Sequence, residues 1–529
     1  MNRVSGRNLH QKIERNCKMI IAKLNLPEFE YDIHSLIKAF YPAQNVSATA
    51  EEKEYDEESI LRITIDYAPD HIDIWFADEK ETKKESFAVE FADRKETKNQ
   101  LKQHLYAMLT AYTGAELPWG TLTGIRPTKI PMKLFEEGKS RKEAYAYMKE
   151  TYFASDEKIE LSMDIAEREL KLLQKIDYEN GYSLYIGIPF CPTTCLYCSF
   201  TSYPLFSWRN RIDEYLTALE KEIDFVAVKF YHKKLNSIYI GGGTPTTLEP
   251  HQLDRLIRRI KCRFDLSYCQ EFTVEAGRPD SITREKLEVL RKWGITRISI
   301  NPQTMKDETL KLIGRRHTVA ETIESFRLAR ELGFDNINMD LILGLPGETL
   351  DDVRNTMEQI KELKPDNLTV HSLALKRAAR LNMFKDEYKE YEMVNTQEHM
   401  DLVASYCKEL GLAPYYLYRQ KSMAGNLENV GYATKGKAGV YNILIMEEKQ
   451  TIMALGAGAT TKFVFKPEDN ELKDTCSLAA KEQKSKGALS ALDMRMERVE
   501  NVKDVTNYLE RVDEMIERKI RKMEEIKWH

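Results

Sequence analysis

Between Leu184 and Leu373, six short apolar runs alternate with five amphipathic stretches, and few architectures accommodate that order. The strand candidates are Leu184–Ile188, Ser237–Ile240, Glu271–Glu275, Arg297–Ile300, Asn336–Leu343 and Asn367–Leu373. The helix candidates lie near Arg211–Lys229, Glu249–Phe264, Arg284–Trp293, Thr318–Leu332 and Leu350–Leu363. Strands separated by helices pair in parallel, because a crossover is needed to return the chain in the same direction. Six such units predict an α/β fold, a partial (β/α)6 barrel rather than an open doubly wound sheet. Polar and glycine-rich motifs follow several successive strands, the end at which barrels place their chemistry.

The chain has 529 residues, enough for roughly three domains. Residues 1–175 read as an N-terminal α+β domain with connecting helices, 176–421 as the barrel, and 422–529 as a mixed, helix-rich C-terminal region. Three alternating runs, Ile60–Asp66, His71–Phe76 and Ser86–Phe91, predict an antiparallel meander. A helix is expected over Thr97–Tyr112, a loop over Trp119–Ile130, two helices within Arg141–Lys175, and a charged helical run over Val502–Lys527. Glu51–Glu58 reads as a solvated acidic loop.

Acids and bases nearly cancel, to a net charge of -5. That argues against a nucleic-acid coat protein or a strongly basic membrane-surface protein, so no nucleic-acid partner is expected. No apolar run reaches the ~18 residues of a membrane span, and the polar N-terminus lacks a signal-peptide core. A cytoplasmic location is the expectation.

Eight cysteines are too sparse for a disulfide scaffold, yet three stand within eight residues: Cys191-Pro-Thr-Thr-Cys195-Leu-Tyr-Cys198, directly after a strand candidate. Thiolates are soft ligands for iron–sulfur clusters or zinc. Three of them can hold three irons of a 4Fe-4S cube and leave the fourth open to a small molecule. A structural zinc site would need a fourth ligand and commonly shows paired C-x2-C knuckles; Cys262 and Cys269 are the nearest later cysteines.

The C-x3-C-x2-C spacing after the first strand resembles the radical S-adenosylmethionine (SAM) superfamily. That resemblance implies a radical SAM barrel in which Cys191, Cys195 and Cys198 ligate the cluster and the open iron chelates SAM. One-electron reduction then cleaves SAM to methionine and a 5′-deoxyadenosyl radical. The ordered set YIGIPFC, CLYCSF, YIGGGTPTTL, VEAGRPD, ISINPQT, DLILGLPGET and ALGAGA further resembles the oxygen-independent coproporphyrinogen III dehydrogenase (oxidase) family. TLTGIRPTKI, VHSLALKRA and PYYLYRQKSMAGNLENVGYA are similar to its HemZ-type branch.

The family resemblance implies an oxidoreductase that decarboxylates two propionates of a tetrapyrrole to vinyls in haem biosynthesis. It also implies up to two SAM molecules and a reductant such as flavodoxin or ferredoxin. Carried over by position, Tyr185, Gly242, Glu275 and Thr460 would meet the first SAM. Tyr197, Phe200, Gly243, Thr244, Gln303, Arg315, Asp340 and Ala374 would meet the second or line the shared cavity. Arg315 would pair a carboxylate, and Glu275 would accept from ribose hydroxyls. Lys376, Arg377, Arg380, Arg419 and Lys421 are candidate partners of tetrapyrrole carboxylates, with Tyr415, Tyr416 and Tyr418 beside them; Met423 is a candidate near haem iron. Two positions depart from the dehydrogenase pattern: Gly187 stands for a histidine, and Phe200 for a fourth cysteine. Phe200 is shared with the haem-chaperone relatives, so a haem-binding chaperone stands as one alternative; a haem-methylating, ring-opening radical SAM enzyme stands as another.

Overall fold

The computed structural model describes residues 19–42, 44–51, 59–78, 82–124, 126–199, 201–374, 379–383, 388, 390–420, 427–465 and 495–527. The chain divides into two compact units, residues 1–124 with 139–160, and residues 125–138 with 161–529.

The first unit holds β1 (Met19–Leu24), β2 (Asn45–Thr49), β3 (Ser59–Tyr67), β4 (His71–Ala77) and β5 (Thr82–Ala88), in the order β2-β1-β3-β4-β5. The predicted meander is β3-β4-β5, and it is antiparallel. It makes up three strands of a five-stranded mixed sheet, because β1 runs parallel to both β2 and β3. MIIAKL shows no clean alternation, which hid β1 from a period-2 reading. The helix Glu30–Phe40 supplies the crossover that parallel β1 and β2 require. The third strand begins at Thr82 rather than Ser86, since pairing with Ala77 extends it through the charged stretch Lys83–Glu85. Charge on an edge strand also discourages pairing with another chain. Ile20, Ile33, Leu61, Ile63, Ile74, Leu101 and Leu105 form the core of this unit.

The second unit is built on one eleven-stranded sheet. Six parallel strands make its centre: β6 (Gly181–Ile188), β9 (Lys234–Gly242), β10 (Glu271–Gly277), β11 (Arg297–Ile300), β12 (Ile337–Leu343) and β13 (Asn367–Ser372). These are the six predicted runs, and the helices Ile212–Lys229, Pro250–Arg263, Arg284–Lys292, Val319–Glu331 and Leu350–Leu363 are the five predicted crossovers. Side-chain chemistry starts the helices where the sequence placed them. Thr318 with Glu321 and Thr349 with Asp352 form reciprocal caps that satisfy amide groups the first turn leaves unpaired.

Two minor strands, β7 (Phe190–Cys191) and β8 (Tyr203–Pro204), pair across the cysteine loop. β14 (Ala413–Tyr418) and β15 (Asn429–Ala433) extend the sheet beyond β13 in antiparallel fashion. On the other side β16 (Thr451–Leu455) is parallel to β6, and β17 (Thr460–Phe465) and β18 (Arg495–Glu500) continue from it. The order ends at β14 and β18, so the barrel is not closed. The predicted C-terminal helical run is two helices, Val505–Glu510 and Val512–Glu525. The loop predicted over Trp119–Ile130 ends early, because a helix starts at Lys129 and runs to Glu136. Most of the acidic loop predicted at Glu51–Glu58 lies outside the described residues. Among the described residues no helix is long and apolar enough to cross a membrane.

Candidate active site

The cysteine loop leaves the C-terminal end of β6 and is tied down along its length. Leu196 N–H donates to Ile313 O at 3.0 Å, Thr193 Oγ1 to Gly314 O at 3.0 Å, and Cys198 N–H to Cys195 O at 3.2 Å. Leu196 packs among Leu310, Ile313, Ile342, Leu345, Leu373 and Leu381, which anchors the loop across the barrel mouth. Thr244 Oγ1 donates to Cys191 Sγ at 3.5 Å. Burial pushes the Cys191 thiol up to about 11, with the Thr244 hydroxyl pulling down and the charges of Cys195 and Cys198 adding to the rise.

The glycine run after β9 lies against this loop. Gly243 N–H donates to Ile188 O at 2.8 Å and Thr244 N–H to Phe190 O at 2.7 Å. A Cβ at Gly243 would stand 2.6 Å from Phe190 O, so only glycine permits this approach. Gly242 has φ +103, and a Cβ there would meet the Tyr185 hydroxyl at 3.0 Å.

Glu275, near the end of β10, accepts from the Tyr239 hydroxyl. Burial raises its pKa to about 7; the Tyr239 hydrogen bond opposes the rise, Asp340 adds to it, and Arg297 and the Gly242 amide oppose it. The carboxyl is therefore poised between its two forms near neutral pH. Tyr239 stacks on Tyr441 at 4.6 Å between centroids, and Tyr185 stands 6.2 Å from each. Tyr441 opens the helix Val440–Glu447, whose first amide groups donate to the Glu271 carboxylate. Tyr239 and Tyr441 were not singled out from sequence. Tyr239 lies two residues before the glycine run in the same strand, a period-2 signal that was available; Tyr441 gave none.

Gln303 follows β11 with φ +71, uncommon for a residue with a side chain. Two backbone bonds hold it there, from Gln303 N–H to Asp340 O and from Ile342 N–H to Gln303 O, each 2.9 Å. Arg315 is 7% exposed. It donates to Asn301 O at 2.5 Å and to the Tyr197 hydroxyl at 3.0 Å through Nη2. Asp340 accepts from Asn338 Nδ2 at 2.7 Å and stands 4.0 Å from His371 Nε2.

Ala374 comes just after β13, and Thr460 opens β17 after the turn Gly456–Ala459 that follows β16. Phe200, Lys376, Arg377, Lys421 and Met423 lie outside the described residues, as does the side chain of Arg380. Arg419 is 5% exposed, and burial lowers its pKa to about 10. Tyr415 and Tyr416 are buried, and Tyr416 lies over Gly431. Tyr418 stacks on Tyr416 and its hydroxyl is 3.4 Å from His371 Nδ1.

Among the described residues no three His, Cys, Asp or Glu side chains gather tightly enough to hold a single metal ion. A cube takes one thiolate at each of three irons, so its ligands stand farther apart than those around one ion. Three soft donors within eight residues of one anchored loop fit that demand. The zinc alternative finds little support: Cys269 precedes β10, at the barrel end opposite the loop, and Cys262 is exposed on the helix Pro250–Arg263.

Residues 185–360 match the Radical SAM superfamily. The chain is 44% identical over 387 residues to the oxygen-independent coproporphyrinogen-III oxidase-like protein HemZ of Bacillus subtilis, covering 72% of this chain and 76% of that protein. It is 43% identical over 195 residues to the heme chaperone HemW of the same organism, covering 36% of this chain and 50% of the relative. It is 29% identical over 259 residues to the oxygen-independent coproporphyrinogen III oxidase of Escherichia coli, covering 49% and 56%.

Proposed function

Because the chain belongs to the radical SAM family of oxygen-independent coproporphyrinogen-III oxidase-like proteins, we propose that it cleaves SAM to act on a tetrapyrrole, oxidatively decarboxylating the two propionates of coproporphyrinogen III that become vinyls. Cys191, Cys195 and Cys198 would hold the 4Fe-4S cluster of the family. When bound, that cluster supplies the electron that splits SAM and so begins hydrogen abstraction from the substrate.

The chain's own residues do the positioning. Gly242 and Gly243, lacking side chains, let the glycine run pack directly on the backbone that leads into the cysteine loop, and so fix the edge against which an amino acid moiety would lie. Glu275 in its ionised form accepts from hydroxyl groups such as those of ribose. Arg315 already spends donors on Asn301 and Tyr197, so its guanidinium is rigid before any carboxylate arrives. The buried Tyr441 and the half-buried Tyr185 and Tyr239 pack beside Glu275 and narrow the access of water to it.

The observation that carries this reading is the polar lining of a single parallel sheet: Gly242 ends β9, Glu275 lies near the end of β10, Gln303 follows β11, and Asp340 stands mid-way along β12 within electrostatic reach of Glu275, while the glycine run packs on the strand that leads to the cysteine loop. A haem carrier remains the second reading, favoured by the likeness to HemW. Anaerobically reconstituted protein with SAM, a reductant and coproporphyrinogen III separates the two. The proposal expects 5′-deoxyadenosine, CO2 and a divinyl product by mass spectrometry. Deoxyadenosine without tetrapyrrole turnover, together with stable haem binding, would support the carrier.

A further inference from the structure

Arg278 follows β10 in the turn Gly277-Arg278-Pro279-Asp280 and is 3% exposed. Its Nη1 donates to Thr193 O at 3.0 Å and Thr193 Oγ1 at 2.7 Å, and reaches Cys195 Sγ at 3.9 Å. Its Nε and Nη2 donate to the two Asp280 oxygens at 3.0 and 2.7 Å, a bidentate pair. One planar cation therefore bridges the turn after the third central strand and the second cysteine of the loop. Its geometry is fixed on both sides. His317 is also buried nearby, with neither ring nitrogen hydrogen-bonded. Burial, with Arg315 adding to it, lowers its pKa to about 3, so it brings no charge. Arg315 is the other cation at this corner, acted on by Tyr197 and Cys195.

A lone buried guanidinium is costly, and a carboxylate partner satisfies part of it. Here Asp280 takes one edge and the cysteine loop takes the other. We infer that Arg278 is a positioning residue that sets the electron affinity of the cluster through Cys195, with Asp280 as its counterweight. The inference rests on the cluster assignment above. Reduction adds one electron, and so one negative charge, to a cluster already bound by three thiolates. A fixed cation donating to a ligand sulfur stabilises the more negative form, and hydrogen bonds to sulfur and local charge are the levers that tune such potentials. Asp280 offsets part of that cation.

The two partners thus make opposite demands. Arg278→Gln removes the positive charge and shifts the midpoint potential to more negative values. Asp280→Asn leaves the guanidinium on Cys195 without its anion and shifts it to more positive values. Arg278→Lys keeps the charge and falls between wild type and Arg278→Gln. A purely structural role would loosen the loop in all three, with shifts of one sign and loss of iron.

The test is a spectroelectrochemical titration of the anaerobically reconstituted full chain without SAM, with iron and sulfide counted per chain. Opposite shifts in Arg278→Gln and Asp280→Asn at wild-type iron content support the inference. Same-sign shifts, or none in either variant, overturn it. Where Arg278→Gln fails to hold iron, Asp280→Asn decides alone: a more positive potential supports, an unchanged or more negative one overturns. A wild type that takes up no cluster overturns the proposed function and this inference together, whereas an intact wild-type cluster with unmoved potentials overturns this inference only.

Discussion

Lys519 Nζ lies 2.6 Å from Glu222 Oε1, and both side chains are wholly withdrawn from solvent. Glu222 also accepts from Gly456 N–H at 2.7 Å, the Tyr508 hydroxyl at 2.6 Å and Asn501 Nδ2 at 3.0 Å. The pair joins the C-terminal helix Val512–Glu525 to the crossover helix Ile212–Lys229, and Glu222 in turn holds the turn before Thr460 through Gly456. Breaking a buried pair strands a charge, which costs about 3–5 kcal/mol. Lys519→Met is expected to lower stability by that amount in urea unfolding. Glu222→Gln added to Lys519→Met is expected to recover part of the loss, because the amide oxygen still accepts while the charge is gone. A stability unchanged by Lys519→Met would contradict the role assigned to the pair.

Gly243→Ala places a Cβ where Phe190 O stands. The strand end carrying Cys191 must move, at about 1–3 kcal/mol for such overpacking. The variant is expected to fold but to take up less iron than wild type on reconstitution, measured by iron content per chain. Wild-type iron content would show that the close approach does not matter to the cluster site.

Gln303 sits in a backbone region where a side chain costs roughly 1–2 kcal/mol. Gln303→Gly relieves that strain while adding about 0.4–1 kcal/mol of unfolded-chain freedom. Its stability is therefore expected within about 1 kcal/mol of wild type, while SAM affinity falls through loss of the amide. Calorimetric binding alongside thermal unfolding checks both. A large stability loss with unchanged SAM affinity would reverse the assignment.

Glu275 has its folded-state pKa raised from 4.5 to about 7, chiefly by burial. Between those values the folded chain holds a proton that the unfolded chain has released. Stability from this group is accordingly full below about pH 4.5 and declines as pH rises to about 7. Glu275→Gln should lack that decline, as read from unfolding midpoints across pH. The same substitution should weaken SAM binding about 10–100-fold above pH 7, where the ionised carboxylate accepts hydroxyl donors, and less so at pH 5.5. Equal effects at both pH values would argue against an ionised acceptor.

The features legible in the sequence were local ones. Strand-length apolar runs, amphipathic stretches between them and three cysteines in eight residues are all short-range patterns, and they located the barrel and its cysteine loop. Glu222 and Lys519 read as ordinary members of charged helices, because their pairing spans 297 positions that no periodicity records. Arg278 stood within a quoted motif, but an arginine's burial follows from the packing of the loop over it. Tyr441 reached the site from a helix beyond the barrel strands. The N-terminal sheet was partly visible: alternation revealed the antiparallel strands, while β1 lacks it in sequence and β2, only five residues long and weakly apolar, pairs in parallel through a crossover helix.

The central claim is that Cys191, Cys195 and Cys198 hold a 4Fe-4S cluster whose open iron binds SAM. The most direct measurement is electron paramagnetic resonance of the reduced, reconstituted chain with and without SAM, paired with iron and sulfide analysis. The account predicts about four irons and four sulfides per chain, a signal that changes when SAM is added, and loss of cluster and SAM cleavage in Cys191→Ala. A cluster signal indifferent to SAM, or a Cys191→Ala variant that cleaves SAM at the wild-type rate, would contradict it.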